Sequence, residues 1–251
     1  MERVRGVRVT EGMVDRWRAW LMPRVQPFVV DQDEAEALRS IAHSRVLSDE
    51  LRDTFRLYAI PDHHHIVWLD RAGSASLSPE TVRTQPTRHL WPTRSTPYDR
   101  RRTTSWVARS IHPVDHSPPP EGVWRRAADV LPDARRLAGR FPLTSGPNCF
   151  ATVMAAAGVP DAEGTWMQRE PFEDWLADHT IAGGNDSLPG TVLVWRDRGG
   201  SVGHAGVTLG DGHYLHKPSQ GWMTPALVLP VRDGIIAART PGQHLERHTI
   251  R

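Results

Sequence analysis

The chain contains a single cysteine, Cys149, in a setting that favours nucleophilic chemistry. Residues 144–148 form a turn-like string before it, and residues 149–157 form an apolar run that predicts a short helix. A thiol in the first turn of a helix lies near free backbone N–H groups and the positive end of the helix dipole, which lower its pKa. The sequence therefore predicts a reactive thiol. The alternative interpretation is a small buried hydrophobic residue that begins a helix.

Two histidines could serve as the base that a thiol nucleophile needs. His204 and His216 lie on consecutive predicted strands, joined by a turn at residues 210–212. In an antiparallel hairpin they can come side by side on one face. His204 is then expected to accept the thiol proton and His216 to orient the ring of His204. Asp211 and His213 lie nearer the turn and are expected to be bystanders.

Further residues are candidates for the substrate pocket. We expect the backbone N–H of Cys149 to hold the oxyanion of an acyl-transfer intermediate, with Ser145 or Asn148 as an additional donor. Trp195 ends the strand that precedes His204, and we expect it to form part of the wall of a binding groove, with a position in the hydrophobic core as the alternative.

The chain from about residue 140 to about residue 220 resembles the NlpC-type family of papain-like cysteine peptidases and amidases. Members carry a Cys at a helix start, a strand that begins Gly-Asp, a Gly-His-apolar-Gly-apolar strand and a second polar residue, often His, on the next strand. Residues 190–195 and 203–216 are similar to this pattern. The resemblance implies a papain-like fold and amide hydrolysis through Cys149, His204 and His216 without a cofactor. It also implies bacterial peptidoglycan peptides, cut between γ-D-glutamyl and diamino-acid residues, as substrates.

The sequence departs from the family pattern at three places. Residues 148–151 read Asn-Cys-Phe-Ala where members read Asp-Cys-Ser-Gly, and residues 190–191 read Gly-Thr rather than Gly-Asp. The tyrosine that members often carry upstream of the cysteine has no counterpart, because no tyrosine occurs between Tyr98 and Tyr214. These departures concern the pocket more than the nucleophile.

Other functions are compatible with the same residues. One is an intracellular acyl-transfer or amide-processing enzyme that acts on a small metabolite, and another is a toxin-like effector delivered by a secretion machine. The altered cysteine motif motivates a third, a non-catalytic binding protein on the same fold.

The predicted elements indicate an α+β protein with two domains. Three successive prolines at residues 118–120 are typical of an extended linker. We therefore expect an accessory α+β domain at 1–120 and a papain-like catalytic domain at 121–251, with helices packed on an antiparallel sheet. Predicted helices cover residues 11–22, 31–51, 149–157 and 170–178; predicted strands cover 55–60, 65–69, 103–111, 191–195, 204–209, 212–216 and 226–230.

The net charge and the lengths of the apolar runs limit the classes of partner that the sequence predicts. The 251 residues carry a formal net charge of +2, which is too balanced for a protein that coats nucleic acid. No apolar run approaches the length of about eighteen residues that a membrane span requires. We expect a peptide or small-molecule amide as substrate, with no nucleic acid and no membrane as partner. Without a recognisable secretory signal, the expected location is the cytoplasm, or export by a signal-less route.

Two composition features stand apart from the thiol site. Lys217 is the only lysine, so the other 30 of the 31 Lys and Arg residues are arginine, which we interpret first as a coding bias. The run His63-His64-His65 places two imidazoles on one face of a strand, which is too few for a zinc site, and no metal is predicted.

Overall fold

The computed structural model describes residues 2–114, 116 and 118–251. The chain divides into two compact units, one formed by Thr10–Trp106 and the other by Met1–Val9 together with Val107–Arg251. The predicted division near residue 120 therefore differs from the observed one. Val107, Ile111 and the middle proline of the 118–120 run are buried. The segment also bonds within its own unit, through the carbonyl of Ala108 to Arg5 and the hydroxyl of Ser110 to the carbonyl of Met223, so it is not a free linker.

The Thr10–Trp106 unit combines short helices with a two-stranded antiparallel ribbon, in which residues Val25–Asp31 pair with His64–Asp70. Side-chain oxygens of Thr10, Asp31, Ser48 and Ser78 accept a backbone N–H three residues on and so begin four of its helices. The chain opens with a hairpin of β1 (Glu2–Val4) and β2 (Val7–Val9), and the elements that follow are α1 (Glu11–Leu21), β3 (Val25–Asp31), α2 (Gln32–Leu38), α3 (Asp49–Phe55), β4 (His64–Asp70), α4 (Pro79–Thr84) and α5 (Thr96–Ala108).

Several predictions for this unit are wrong. The helix expected over 31–51 is two helices, because Ser48 caps a second one after a break. The strand expected at 103–111 lies mostly within α5, and residues 55–60 form the end of α3 and a turn. The strand expected at 65–69 is confirmed as part of β4.

The second unit is built on a six-stranded antiparallel sheet and contains α6 (Glu121–Ala127), α7 (Ala134–Leu137), α8 (Cys149–Ala156), α9 (Arg169–His179), β5 (Thr180–Ala182), β6 (Pro189–Arg196), β7 (Val202–Gly210), β8 (His213–His216), β9 (Leu227–Pro230), α10 (Val231–Ala238) and β10 (His244–Ile250). The strand order in the sheet is β5-β10-β6-β7-β8-β9, and every neighbouring pair is antiparallel. The helices and strands predicted between residues 149 and 230 are confirmed, and the protein is an α+β fold of helices and antiparallel sheets. None of the helices in the described ranges is long and apolar enough to cross a bilayer.

Successive side chains along each strand point to opposite sides of the sheet, which therefore has two different faces. We call the first the α8 face, since the buried helix α8 packs there on Ala205, Val207 and Leu215. The second, the α10 face, carries Trp195 and Tyr214 against the apolar side of α10.

Candidate active site

Cys149 is the first residue of α8 and is buried, with 8% of its surface exposed. The side-chain oxygen of Asn148 caps this helix by accepting the N–H of Ala151 at 3.0 Å. The backbone N–H groups of Ala205, Phe150 and Cys149 itself face the sulfur and favour its anionic form. The turn before the helix therefore places the sulfur close to three backbone hydrogen-bond donors.

The predicted lowering of the thiol pKa is wrong, because burial dominates. Desolvation raises the pKa of Cys149 to about 11, and the three N–H groups and the charge of Lys217 only partly oppose it. At neutral pH the resting residue is therefore a thiol, and it must lose its proton to a base as it reacts.

His204 and His216 lie side by side, as their predicted hairpin requires. His204 is on β7 and His216 ends β8, and the Nδ1 atom of His216 lies 3.4 Å from the Nε2 atom of His204. The two rings meet edge to face with centroids 5.6 Å apart. Because Nε2 of His204 is used in this hydrogen bond, its Nδ1 is the ring nitrogen left to exchange a proton with a nucleophile.

Burial keeps both imidazoles neutral. It lowers the pKa of His204 to about 4 and that of His216 well below its usual value, and the positive charges of His204 and His112 would lower the latter further. A neutral imidazole can accept a proton, so His204 is in the form that a general base requires.

The thiol and the histidine pair approach the same stretch of β7 from different sides. The sulfur faces the N–H of Ala205 from the α8 face, while the neighbouring residue His204 pairs in register with Trp195 of the α10 face. The register between β7 and β8 begins at Val207, so β8 does not cover the backbone at Ala205. Among the described residues no hydrogen bond joins the thiol to either ring, so proton transfer requires the side chains to move closer.

Trp195 has the second of its two expected positions, in the hydrophobic core. It is buried, with 2% of its surface exposed, and its ring lies 5.4 Å from that of His204. It therefore packs behind the histidine and restricts the orientation of its ring; the side chain does not form an open groove wall.

The two candidate oxyanion donors are engaged within the protein. The amide nitrogen of Asn148 donates to the carbonyl of Met167 at 2.7 Å while its oxygen caps α8. The Ser145 hydroxyl is buried and accepts the N–H of Trp222 at 3.2 Å. Both residues shape the turn before Cys149, so the backbone N–H groups near the sulfur are the better candidates for holding an oxyanion.

Sequence reasoning missed three residues of this site. Tyr214 is fully buried, and burial, followed by the charge of Cys149, raises its pKa well above the usual value. Gly206 leaves room for the Tyr214 ring, and Lys217 is the buried cation whose charge acts on the thiol. Two signals were present in the sequence, namely the glycine of the Gly-His-apolar-Gly pattern and the uniqueness of the lysine.

A cleft of about 490 Å³ reaches the histidine pair from solvent. His204, His216 and Gln243 form part of its wall, and its rim includes Arg109. The Nε2 atom of His216 and the Oε1 atom of Gln243 are buried without a hydrogen-bond partner among the described residues. Such atoms are rare in folded proteins, and here they are polar groups that a bound molecule could satisfy.

Asp211 and the histidine run at residues 63–65 have their own neighbours in the structure. Asp211 forms an ion pair with Arg126 of α6. The rings of His63 and His64 lie 4.4 Å apart, and in the part of the chain that the structure describes no three His, Cys, Asp or Glu side chains gather as a metal site.

No model of a protein family, no curated protein and no solved structure matches the chain.

Proposed function

We propose that the protein is a cysteine hydrolase that cleaves an amide bond in a peptide or peptide-like substrate. The observation that carries the proposal is the hydrogen-bonded pair of His204 and His216 on β7 and β8, the two strands on which the helix that begins with Cys149 also packs. A nucleophile, a base and a group that orients the base are the minimum set for covalent amide hydrolysis. The resemblance of residues 140–220 to NlpC-type enzymes, which have a papain-like fold, also supports amide hydrolysis.

The neutral resting state determines the order of events. The sulfur of Cys149 attacks the carbonyl carbon while Nδ1 of His204 takes the thiol proton, and the resulting imidazolium is stabilised by its hydrogen bond to His216. The C–N bond then breaks, and His204 returns the proton to the leaving amine. A water molecule, deprotonated by His204, attacks the thioester to release the acid and regenerate the thiol.

The backbone N–H groups in the first turn of α8 stabilise the negative charge of the tetrahedral intermediate. Those of Cys149 and Phe150 lie at the sulfur, whereas that of Ala151 is occupied by the cap. They are fixed by the helix before reaction, so they need no reorganisation when charge develops on the substrate oxygen.

The pH dependence of Cys149 alkylation by iodoacetamide tests this proposal. A solitary thiol with a pKa of about 11 becomes about tenfold more reactive per pH unit below that value. When His204 takes the proton as the sulfur attacks, the rate follows the fraction of neutral thiol beside neutral imidazole, which is constant between the two pKa values, here about 4 and about 11. In the wild type we therefore expect a flat profile on the acid side, up to the pH at which reaction of the free thiolate becomes faster. In His204→Gln we expect the tenfold-per-unit slope throughout, read by intact mass.

The single cysteine makes the mass shift unambiguous. His213→Gln is the matched control, since it alters a histidine of the same hairpin outside the pair and should keep the flat profile. A wild-type slope equal to that of His204→Gln, or a thiol that reacts only after unfolding, would contradict the proposal.

The contradictory outcome would favour the second candidate, a non-catalytic binding protein. Its support is the raised pKa of Cys149 and the absence of a hydrogen bond between thiol and imidazole among the described residues. In that case Cys149→Ala should leave ligand binding in the cleft beside His216 unchanged.

A further inference from the structure

The cleft that reaches the histidine pair is lined by polar side chains with atoms that find no partner inside the protein. The Nε2 atom of His216, the Oε1 atom of Gln243 and the Nδ1 atom of His112 are buried without a hydrogen bond among the described residues. All three side chains line this cleft, and His216 is only 2% exposed. Because buried polar atoms are nearly always paired in folded proteins, three of them around one cleft indicate a binding site.

These groups lie close together in one compact unit. Every residue that lines the cleft lies between positions 109 and 243, within the segment Val107–Arg251. The side chain of Gln243 packs against the backbone of Gly203, where a Cβ atom would overlap it. The next residue is His204, whose Nε2 atom lies 3.4 Å from Nδ1 of His216. Gln243 and His216 are therefore both neighbours of the same short segment of β7.

The hydrogen bond between the two rings determines what His216 offers to a ligand. In the proposed function Nδ1 of His204 accepts the thiol proton, so the neutral ring of His204 carries its own proton on Nε2. That N–H donates to Nδ1 of His216 across the 3.4 Å contact. The neutral ring of His216 then carries its proton on Nε2, which is the atom without a partner. A ligand must therefore bring a hydrogen-bond acceptor to His216.

Gln243 requires the opposite group. Its Oε1 atom, which is the buried end of the side-chain amide, is an acceptor and needs a donor. The residue is half-buried in the turn before β10, so rotation of its side chain can admit a ligand. An acceptor and a donor in one small group are what a secondary amide presents, through its carbonyl oxygen and its N–H.

The inner wall of the cleft favours a neutral group over an anion. Burial lowers the pKa values of His204 and His216, so both rings are uncharged at neutral pH, and Gln243 carries no charge. A carboxylate placed beside them would lose its hydration, and one of its oxygens would face the Oε1 acceptor of Gln243. Arg109 lines the same cleft but is exposed, so its charge lies at the rim.

The amide that fits this cleft differs from the one that is cleaved. In the proposed function the scissile carbonyl is held by backbone N–H groups in the first turn of α8, at the sulfur of Cys149. The described residues that line the cleft come from other segments, namely 109–113, 203–204, 216–218 and 237–243. A substrate that occupies both places therefore carries at least two amide groups.

We propose that the cleft beside His216 binds a second backbone amide of the substrate, with its carbonyl oxygen on the Nε2–H of His216 and its N–H on Oε1 of Gln243. The inference rests on the proposed function for the tautomer of His216, and it narrows the substrate from amides in general to peptide chains. An amide bound in this way also stabilises the tautomer of His216 that leaves Nδ1 of His204 able to accept a proton.

The test is a nitrogen NMR titration of histidine-labelled protein. N-acetylglycine N-methylamide is the neutral probe with two backbone amides, and acetate is the anionic probe. We expect the amide probe to shift the ring signals of His216, and the bound state to show Nε2 protonated and Nδ1 unprotonated. Unchanged His216 signals, an unprotonated Nε2 in the bound state or tighter binding of acetate would each overturn the proposal.

Substitutions at Gln243 test the second contact. Gln243→Met keeps the length of the side chain without its acceptor, and we expect the affinity for the amide probe to fall about two- to tenfold, as for loss of one neutral hydrogen bond. Gln243→Glu keeps an acceptor at the same position and should retain binding. Thr240→Val is the matched control, since Thr240 is an exposed residue of the same cleft and its change should leave the affinity as in the wild type. Equal affinity of Gln243→Met and the wild type would also overturn the proposal.

The two proposals fail in different ways. Loss of the proposed function appears in the alkylation profile, which then slopes in the wild type as it does in His204→Gln. Loss of the present inference appears in the titration, as His216 signals that do not respond to the amide probe in a protein whose alkylation profile still depends on His204.

Discussion

At the residue scale, two glycines make room for the aromatic ring at the centre of the site. A methyl group at Gly206 would overlap the hydroxyl end of the Tyr214 ring, and one at Gly234 of α10 would overlap its other edge. Tyr214 fills the slot between them without solvent exposure, and its ring lies 5.2 Å from that of His216. The absence of side chains at these positions therefore determines how closely the ring packs against the orienting histidine.

Gly206→Ala tests this packing. Because Tyr214 is fully buried and cannot move into solvent, we expect the free energy of unfolding to fall by about 1–3 kcal/mol, as measured by urea denaturation. Gly164→Ala is the control, since nothing lies within 4 Å of the added carbon there, and its effect should be small. Equal stability of the two variants would contradict this, because it would mean that the Tyr214 ring can move to accommodate the added methyl group at no cost.

The sequence predicted which histidines lie together but not the environment of the thiol. The spacing of His204 and His216 on consecutive strands predicted their contact, whereas the catalytic role of these residues and of Cys149 stays a prediction. The sign of the shift in the thiol pKa was not predictable, since it depends on burial by β7 and β8, which lie more than fifty residues away along the chain. The hydrogen-bond acceptors of Lys217 at Gly221 and Thr224 could likewise not be predicted, because they depend on how residues 217–224 fold.

At the element scale, helix α8 and strands β6 to β9 follow from local patterns. Glycine-rich turns punctuate the strands, and Asn148 begins the helix as a capping residue. Strand β10 gave no such signal, because its sequence alternates weakly and each of its interior positions is only half-buried. Helix α5 was mistaken for a strand in its second half, where Thr103 and Val107 favour β-structure locally but are buried by tertiary packing.

The cap of α8 leads to an element-scale prediction. Asn148→Ala should lower the free energy of unfolding by about 1 kcal/mol, because the N–H of Ala151 loses its acceptor. Asn148→Asp keeps an acceptor at the helix start and should retain most of the stability. Gln168→Ala serves as control, since Gln168 precedes α9 without a side-chain capping bond and its loss should cost less. Urea denaturation of the three variants measures the differences, and an equal loss in Asn148→Ala and Gln168→Ala would contradict the capping role.

At the scale of the whole molecule, the buried histidine pair links stability to pH. His204 and His216 have lowered pKa values in the folded protein because burial disfavours their charged forms. Between the ordinary pKa of about 6.5 and the folded values, the unfolded chain binds more protons than the folded chain. Their stabilising effect is therefore complete above about pH 6.5 and is lost as the pH falls.

We expect each of these histidines to contribute a loss of about 1.4 kcal/mol per pH unit below about pH 6.5. Urea denaturation at several pH values should show a shallower acid dependence for His204→Gln than for the wild type, whereas His213→Gln should keep the wild-type slope. An acid dependence that is the same in all three proteins would mean that His204 titrates in the folded state as it does when unfolded.

The division of the second unit into two chain segments has a consequence for the order in which the protein is made. The Arg5 side chain of the β1–β2 hairpin donates to the carbonyl of Ala108 at 2.8 Å, yet all of Thr10–Trp106 is synthesised between them. At a translation rate of about 5–20 residues per second, the hairpin waits roughly 5–20 s on the ribosome for the segment it belongs with. Because an isolated two-stranded hairpin is marginally stable in water, synthesis of the inserted unit is complete before the β1–β2 hairpin gains the contacts of the segment that stabilises it.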